Sequence, residues 1–514
     1  MTDFAAVRAE LNLPPVQDSA RFPSDVQAEA ARSAEQHGFG GREDATDLPL
    51  VTIDPPDAMD LDQAMLVQRR AGGGFAVHYA IADLPAFVRA DGPLDLESQR
   101  RGQTLYLPDA SVPLHPPVLS AGAASLLPDQ VRPAVLWSID LDAVAEPVDV
   151  RVRRALVRSV ARMDYQGVQA DLEAGRGHPS IEALPALGRL RRELAVQRGA
   201  VELELPEQEI ERDGQGWRIV LRRRTDVDAW NAEISLLTGM CAAQLMLQAR
   251  MGILRTLPPP DEQAIARLRH AAQQLGVPWP DDATPAQALS ALDPTDPAAL
   301  AVYTEATQLL RGAGYLAFEG TVPEHTFHTG IGAPYAHVTA PLRRLVDRYG
   351  AEVCLAVAAG TAVPEWTRSA LPMLPEVMAS SDRRAAQVER ACLDQVESWL
   401  LAPRVGQEFE AIVLRANGRG DVGADIFIAD PPTMARCAGN GLREGERVPV
   451  RLVEADPVAR RVRFATESTV AVAVDAPATK APAAATAPAA DTPAAGRAPA
   501  GTPSADDAGE AVKE

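Results

Sequence analysis

Lysine is nearly absent from this 514-residue chain: it occurs only at Lys480 and Lys513, and arginine carries the rest of the positive charge. Long apolar runs are missing as well. No stretch of about 18 uncharged apolar residues occurs, so no segment reads as a membrane span. The opening residues, Met1-Thr2-Asp3-Phe4, lack the basic region and apolar stretch of a secretion signal, so a cytoplasmic protein is expected. Cysteine is scarce and unpaired in spacing. Cys241, Cys354, Cys392 and Cys437 lie too far apart in sequence to suggest a zinc site or a disulfide framework, and they are expected as reduced thiols.

The balance of 46% apolar to 23% charged residues is that of a globular protein, and the length calls for several domains. The net charge of -20 argues against a generally basic surface of the kind that binds nucleic acid. The arginines, however, are clustered: Arg151, Arg153, Arg154, Arg158 and Arg162; Arg222 to Arg224; Arg343, Arg344 and Arg348; Arg383, Arg384 and Arg390. An acidic exterior around a basic interior channel satisfies both observations. Solvated helix faces are the ordinary alternative.

Two short helical patterns open the chain, the second with Ser24 and Gln27 at capping-box spacing and Gly38 as its stop. From Leu48 the pattern turns to short β-rich runs, at 48–53, 75–81 and 134–139. Helical patterns follow over 229–250, 262–275, 297–310 and 380–401. The result is an α+β multidomain reading, with a small helical segment over 1–43 and an α+β domain over 44–402. Strands at 408–414, 422–428, 447–453 and 462–464 predict a small five-stranded OB-type barrel over 403–468. Residues 469–514 are rich in Ala, Pro and Thr and poor in bulky apolar groups, so a disordered tail is expected.

The most informative segment is residues 52–64, Thr-Ile-Asp-Pro-Pro-Asp-Ala-Met-Asp-Leu-Asp-Gln-Ala. A strand delivers Asp54, the two prolines force a turn, and Asp60 and Asp62 follow two residues apart on one side of an extended chain. Carboxylates converging this way suit a hard divalent cation, which in phosphodiester hydrolysis assists the attacking water and the departing oxygen. An EF-hand is excluded by the missing Gly and terminal Glu. An ordinary acidic turn is the competing reading of this segment alone.

The segment resembles the signature of the catalytic domain of ribonuclease II, ribonuclease R and the exosome's related subunit. Further motifs recur downstream in the family's order: His-Tyr-Ala-Ile-Ala-Asp at 78–83, Leu-Tyr-Leu-Pro at 105–108, Leu-Ser at 119–120 with Ser-Leu-Leu-Pro-Asp-Gln-Val-Arg-Pro at 125–133, Glu-Ile-Ser-Leu-Leu at 233–237, Tyr-Ala-His-Val-Thr-Ala-Pro-Leu-Arg-Arg at 335–344, and Asp382 to Arg384 with Glu389 and Arg390. The resemblance implies a processive hydrolytic exoribonuclease acting on single-stranded RNA from the 3′ end, dependent on magnesium, with manganese the alternative cation. It implies Asp54, Asp60, Asp62 and Gln63 at the metal, Asp62 and Arg343 in catalysis, and Tyr106, Arg344 and Glu389 on the RNA. His337, inside the arginine motif, reads as a structural histidine. The C-terminal barrel resembles the S1-type RNA-binding module that ends these enzymes, though Asn-Gly-Arg-Gly-Asp at 417–421 lacks its aromatic pattern. A monomer without membrane attachment is expected.

Three departures from the family pattern stand out. The 43 residues upstream leave no room for its usual pair of cold-shock barrels, so the helical segment is expected in their place. Ala340 stands where the arginine motif has Ser, and Gln63 where familiar members have a fourth Asp. A glutamine carbonyl can ligate a hard cation or hold its water but adds no negative charge, so weaker binding of a second cation is expected. Gln63→Asp should then shift metal activation to lower concentration, unless the amide is held by neighbours that an aspartate cannot satisfy. The alternative from a different class is an RNA-binding protein of the same fold with weak or no catalysis.

Overall fold

The computed structural model describes residues 3–35, 39–203, 207–222, 224–293, 296–416 and 423–466. Gly38, the segment 417–421 and the tail from 469 fall outside the described residues. The fold is α+β and is built on one curled sheet of β1 (Glu43–Asp44), β2 (Leu50–Ile53), β3 (Gln63–Arg69), β4 (Phe75–Ala82), β5 (Val131–Leu141) and β6 (Pro147–Met163). The order is β1-β6-β2-β3-β4-β5, and β5 pairs with β6 as well. The 17-residue β6 makes this possible, because 147–158 run antiparallel to β5 while 159–163 run parallel to β2.

Side chains alternate across a strand, and here both faces are covered. Val51, Met65, Val67, Val77, Tyr79, Ile81, Val135, Trp137 and Ile139 share one core with helices. Leu50, Ala64, Leu66, Ala80, Ala134 and Leu136 share another beneath the loop of Leu61 and Leu126. At the β3–β4 turn Gly74 has φ +79, and a Cβ there would lie 2.2 Å from the Leu141 oxygen, so only glycine lets β5 run past the turn.

Helix Asp226–Ala249 carries a capping box between Thr225 and Asp228, and it packs on helices Leu184–Gln197 and Leu345–Ala358. Gly239 in its middle touches the Tyr335 ring, where a Cβ would come within 2.1 Å, and its carbonyl accepts from Ala336 N. The arginine-bearing segment is thereby seated directly on the helix. The 28-residue helix Leu374–Leu401 starts one and a half turns earlier than the expected 380, since Pro375 is tolerated in a first turn.

The two N-terminal helices, Ala5–Glu10 and Ser24–Ala34, pack into the body of the fold. Phe4 meets the edges of Trp217 and Trp399 at 5.2 and 5.4 Å, and Arg8 is buried on Asp109. Phe22, Val26 and Ala30 pack on Phe87, Leu94 and Leu342. The capping box expected of Ser24 does not form: Pro23 precedes the helix, and Gln27 Nε2 donates instead to the Phe22 carbonyl at 2.8 Å.

The C-terminal strands Glu408–Ala416, Ala424–Ala429, Pro432–Ala438, Arg447–Asp456 and Arg461–Ala465 close into a barrel. Strand Pro432–Ala438 was not among the expected ones because Pro431 precedes it and Pro432 opens it, a position where no ladder donor is required. Phe409, Val413, Ile426, Leu452 and Phe464 fill the interior. All four cysteines are buried and unbonded, and among the described residues no helix is long and apolar enough to cross a membrane.

Candidate active site

The acidic loop is held at both ends. At its start the Asp54 amide extends the β2–β6 pairing by donating to Met163 O at 3.1 Å, and Arg162 donates to the Pro56 carbonyl. Before β3, Ser125 Oγ donates to Met59 O at 2.7 Å and accepts from Leu61 N at 3.0 Å. The motif around Ser125 therefore acts as a clamp on the carboxylate loop.

Asp62 is 3% exposed. Its Oδ1 accepts the Leu342 N–H at 2.7 Å and its Oδ2 lies 3.4 Å from Arg343 Nε. Burial pushes its pKa up, against the pull of Arg343 and the Leu342 amide. Burial likewise raises Asp54 to about 7, with Arg343 opposing and Asp60 reinforcing. Asp60 Oδ2 accepts the Tyr106 hydroxyl at 3.0 Å. Buried Asp62 and the part-buried Asp54 and Asp60 thus gather round Arg343, in a cavity that Arg222 and Arg224 also line.

Tyr106 and Arg343 are fixed relative to each other by backbone pairing: Thr104 N donates to Arg343 O at 2.9 Å and Leu345 N to Gly102 O at 3.0 Å. Their side chains remain 54% and 52% exposed, so both are available to a ligand. They separate two adjoining cavities. One, of about 680 Å³, is lined by Asp54, Asp60, Asp62, Gln63, Tyr165 and Arg222 among others. The other, of about 570 Å³, is lined by Gln208, Arg344 and Glu389.

Not every expected site residue is free for its expected role. Gln63 borders the larger cavity, yet its Oε1 accepts the Tyr79 hydroxyl at 2.7 Å and its Nε2 donates to Thr339 O at 2.7 Å. Arg344 makes a two-point pair with fully buried Asp347, at 2.5 and 2.8 Å, and Asp347 also accepts from Ala340 N at 2.7 Å. That pair shapes the loop, while Arg344 still borders the smaller cavity. Glu389 is exposed on helix Leu374–Leu401 at the wall of the smaller cavity. His337 bonds to the Tyr315 hydroxyl at 2.8 Å, and burial holds its pKa well below the ordinary value, which makes it a neutral structural ring.

The arginine clusters are largely internal to the protein's own ion pairs. Arg153 pairs with Glu43, Arg154 with Asp83 and Glu352, Arg348 with Asp95, and Arg390 with Asp394. Among the described residues of the clusters, Arg222, Arg224, Arg343 and Arg344 line the two cavities. Tyr165 is the residue that motif reading missed. It lies two residues after β6, accepts from Asn231 Nδ2 at 3.2 Å, and lines the larger cavity with Asp54. Its position after the strand paired with β2 is the signal that could have found it.

Among the described residues, no three side chains of His, Cys, Asp or Glu converge closely enough to enclose a metal ion by themselves. Magnesium does not require such a cage, since one or two carboxylates complete its shell with water and substrate phosphate. The all-oxygen donors fit such a cation.

With this geometry in hand, the chain can be set beside known proteins. Residues 42–355, more than half of its length, match the RNB domain. The chain belongs to the RNB-domain family. Residues 407–467 match the RNase II-type exonuclease C-terminal S1 domain, which coincides with the closed barrel. Ribonuclease R of Escherichia coli strain K12 is 27% identical over 499 residues, an alignment covering 87% of this chain and 60% of that protein. The chain therefore spans under two thirds of that relative's length. Mycoplasma genitalium RNase R in complex with ribose methylated single-stranded RNA superposes with a TM-score of 0.77 at 19% identity, covering 90% of this chain and 77% of that one. Yeast Ssd1, a pseudonuclease, superposes at 0.65 with 17% identity, covering 80% and 53%. These likenesses establish the RNB fold, which hosts both an RNase and a pseudonuclease.

Proposed function

We propose that this RNB-family member is a hydrolytic, processive 3′-to-5′ exoribonuclease that shortens single-stranded RNA and releases nucleoside 5′-monophosphates. The observation that carries the reading is that Asp54, Asp60, Asp62, Tyr106 and Arg343, drawn from three separate stretches of chain, line one cavity. A pseudonuclease needs the fold but not this set.

Asp54, Asp60 and Asp62 would hold a divalent cation, magnesium in this reading, with Asp54 losing its proton on loading. When bound, such a cation neutralises charge on the phosphorus and polarises the attacking water. Arg343 donates its planar fork to the scissile phosphate, where negative charge grows in the transition state. Asp62 holds that guanidinium, and the Leu342 amide holds Asp62. The Tyr106 ring, its hydroxyl anchored on Asp60, offers a face on which any base stacks, which suits sequence-tolerant degradation. Glu389, which lines the smaller cavity, would meet ribose hydroxyls of the RNA strand. In the reaction a water oxygen bonds to phosphorus, the bond to the 3′ oxygen of the penultimate nucleotide breaks, and that oxygen takes up a proton as the new terminal hydroxyl. The reading carries the expectation of a cytoplasmic monomer.

The test is a time course on 5′-labelled single-stranded RNA, with magnesium or a chelator, beside DNA and duplex controls. A ladder shortening from the 3′ end, with 5′-monophosphates released and silence under the chelator, is expected. Internal fragments, or equal rates on DNA, would overturn the assignment. Tight RNA binding without hydrolysis at any metal concentration would establish the RNA-binding alternative.

A further inference from the structure

Gln63 is the position where this chain differs most from the acidic pattern it resembles, and its surroundings assign it a different task. In the β3–β4 ladder Gln63 lies opposite Ile81 and Met65 opposite Tyr79, so Gln63 and Tyr79 are diagonal neighbours on one face of the sheet. Tyr79 is fully buried, and its hydroxyl donates to Gln63 Oε1 at 2.7 Å. On the other side stands the Thr339 carbonyl, which can only accept. The orientation of the amide follows: its nitrogen faces Thr339 and its oxygen faces Tyr79. The ligand-capable oxygen is thus engaged with a phenol.

Thr339 opens the segment that carries Arg343. Its hydroxyl is held by Ser235 Oγ at 2.8 Å, and the next residues form a closed turn in which Arg343 N and Arg344 N both donate to Ala340 O, at 3.3 and 2.9 Å. Because that turn is internally bonded, anchoring its first residue also sets the Leu342 N–H that holds Asp62 and the Arg343 guanidinium beside it. We propose that Gln63 is a positioning residue and not a cation ligand: its amide ties Tyr79 of the sheet to Thr339 and so sets where Arg343 and the Leu342 amide meet Asp62. This deepens the nuclease reading and rests on it.

The chemistry demands one donor and one acceptor in the same short side chain. An aspartate or glutamate carboxylate at 63 would satisfy Tyr79 but turn an oxygen toward the Thr339 carbonyl, and would add charge beside Asp54 and Asp62. An apolar residue would leave the buried phenol and the carbonyl unpaired. Gln63→Asp is therefore expected to lower turnover rather than improve metal use.

The test uses the full chain with Gln63→Leu, Tyr79→Phe and the double variant. Binding of manganese(II) alone is measured by titration without RNA, and kcat and KM are measured on one 5′-labelled RNA. Loss of an outer partner of a site typically costs about 10- to 100-fold. That loss is expected in kcat for Gln63→Leu, with a smaller one for Tyr79→Phe, while manganese affinity stays within about twofold, the scatter of independent sites. The double variant should be no worse than Gln63→Leu, because both break one link. A tenfold or greater fall in manganese affinity for Gln63→Leu, with Tyr79→Phe unaffected, would make Gln63 a ligand and overturn the proposal. So would an unchanged kcat in both variants. A wild type that binds manganese yet hydrolyses nothing would refute the nuclease reading, while unaltered manganese affinity in Gln63→Leu would still uphold the non-ligating amide.

Discussion

The acidic cleft and the C-terminal barrel employ charge in opposite ways. In the barrel, Arg447, Arg451 and Arg461 pair with Glu410, Glu408 and Glu454 on the outer surface, where each side chain keeps much of its hydration. Such pairs contribute roughly 0–1 kcal/mol, and stability there comes from Phe409, Ile426, Leu452 and Phe464 inside. In the cleft, Asp62 and Asp54 are withdrawn from water beside Arg343, and both carboxyls hold their protons more tightly than usual. The difference teaches that the barrel is optimised for folding, whereas the cleft keeps costly groups that a folding argument alone would remove. Buried charges of this kind mark sites.

The largest way to sharpen the contrast is Asp62→Asn. Turnover should fall by about 1,000-fold or more, equivalent to some 4 kcal/mol of barrier, while RNA affinity in a chelator stays near wild type because phosphate contacts are retained. The melting temperature should not drop, since the amide still accepts from Leu342 and a buried charge is gone. Equal loss of binding and rate would make Asp62 structural and erase the comparison. The converse experiment is Phe464→Ala in the barrel, where Phe464 meets Phe409 edge-on at 5.5 Å. It should cost about 3–5 kcal/mol of stability in denaturant unfolding, with the cleavage rate per folded molecule preserved. A rate loss as large as that of Asp62→Asn would show the two regions to be functionally inseparable.

A smaller effect is expected at Tyr106. Tyr106→Ala removes a stacking face worth roughly 1–3 kcal/mol, so digestion should end at a different product length while long RNA is still consumed. An unchanged end product on a sequencing gel would assign the ring to structure. Smallest is a pH effect where the two regions meet. Glu397 of helix Leu374–Leu401 is raised to about 7, chiefly by burial and against a hydrogen bond from Gln208, which also donates to Pro432 O of the barrel at 2.9 Å. A raised folded-state pKa makes the neutral acid the favoured form, so its contribution is complete below about 4.5 and is lost as pH rises through about 7. Wild type should therefore melt lower at pH 8 than at pH 6, and Glu397→Gln should flatten that difference, by roughly 2–4 °C for each kcal/mol involved. A variant as pH-sensitive as wild type would exclude Glu397 as the source.

Local chemistry made much of this legible in advance. Asp54, Asp60 and Asp62 could be singled out because a strand, a Pro-Pro turn and alternate spacing are short-range properties, and the cleft does bring them together. The barrel was readable from apolar alternation in four strands. Its fifth, Pro432–Ala438, was hidden by Pro431 and Pro432 at its start. The fate of Gln63 was illegible because its partners, Tyr79 and Thr339, are brought to it by the fold, whereas the Arg344–Asp347 pair is three residues apart and within reach of a spacing rule.

By itself, then, the sequence determined the α+β class, the RNB resemblance and the oxygen-rich, metal-suited character of the site, since these depend on residue type and on spacing of a few positions. The tertiary structure alone decided which charged groups are left for a ligand. Arginine and carboxylate side chains are long and strongly attracted to one another, so whether Arg343 faces the cleft while Arg348 and Arg154 are consumed in pairs depends on which carboxylate the fold carries within reach. No spacing rule contains that distance, because Asp62 and Arg343 come from distant parts of the chain and still lie 3.4 Å apart in space.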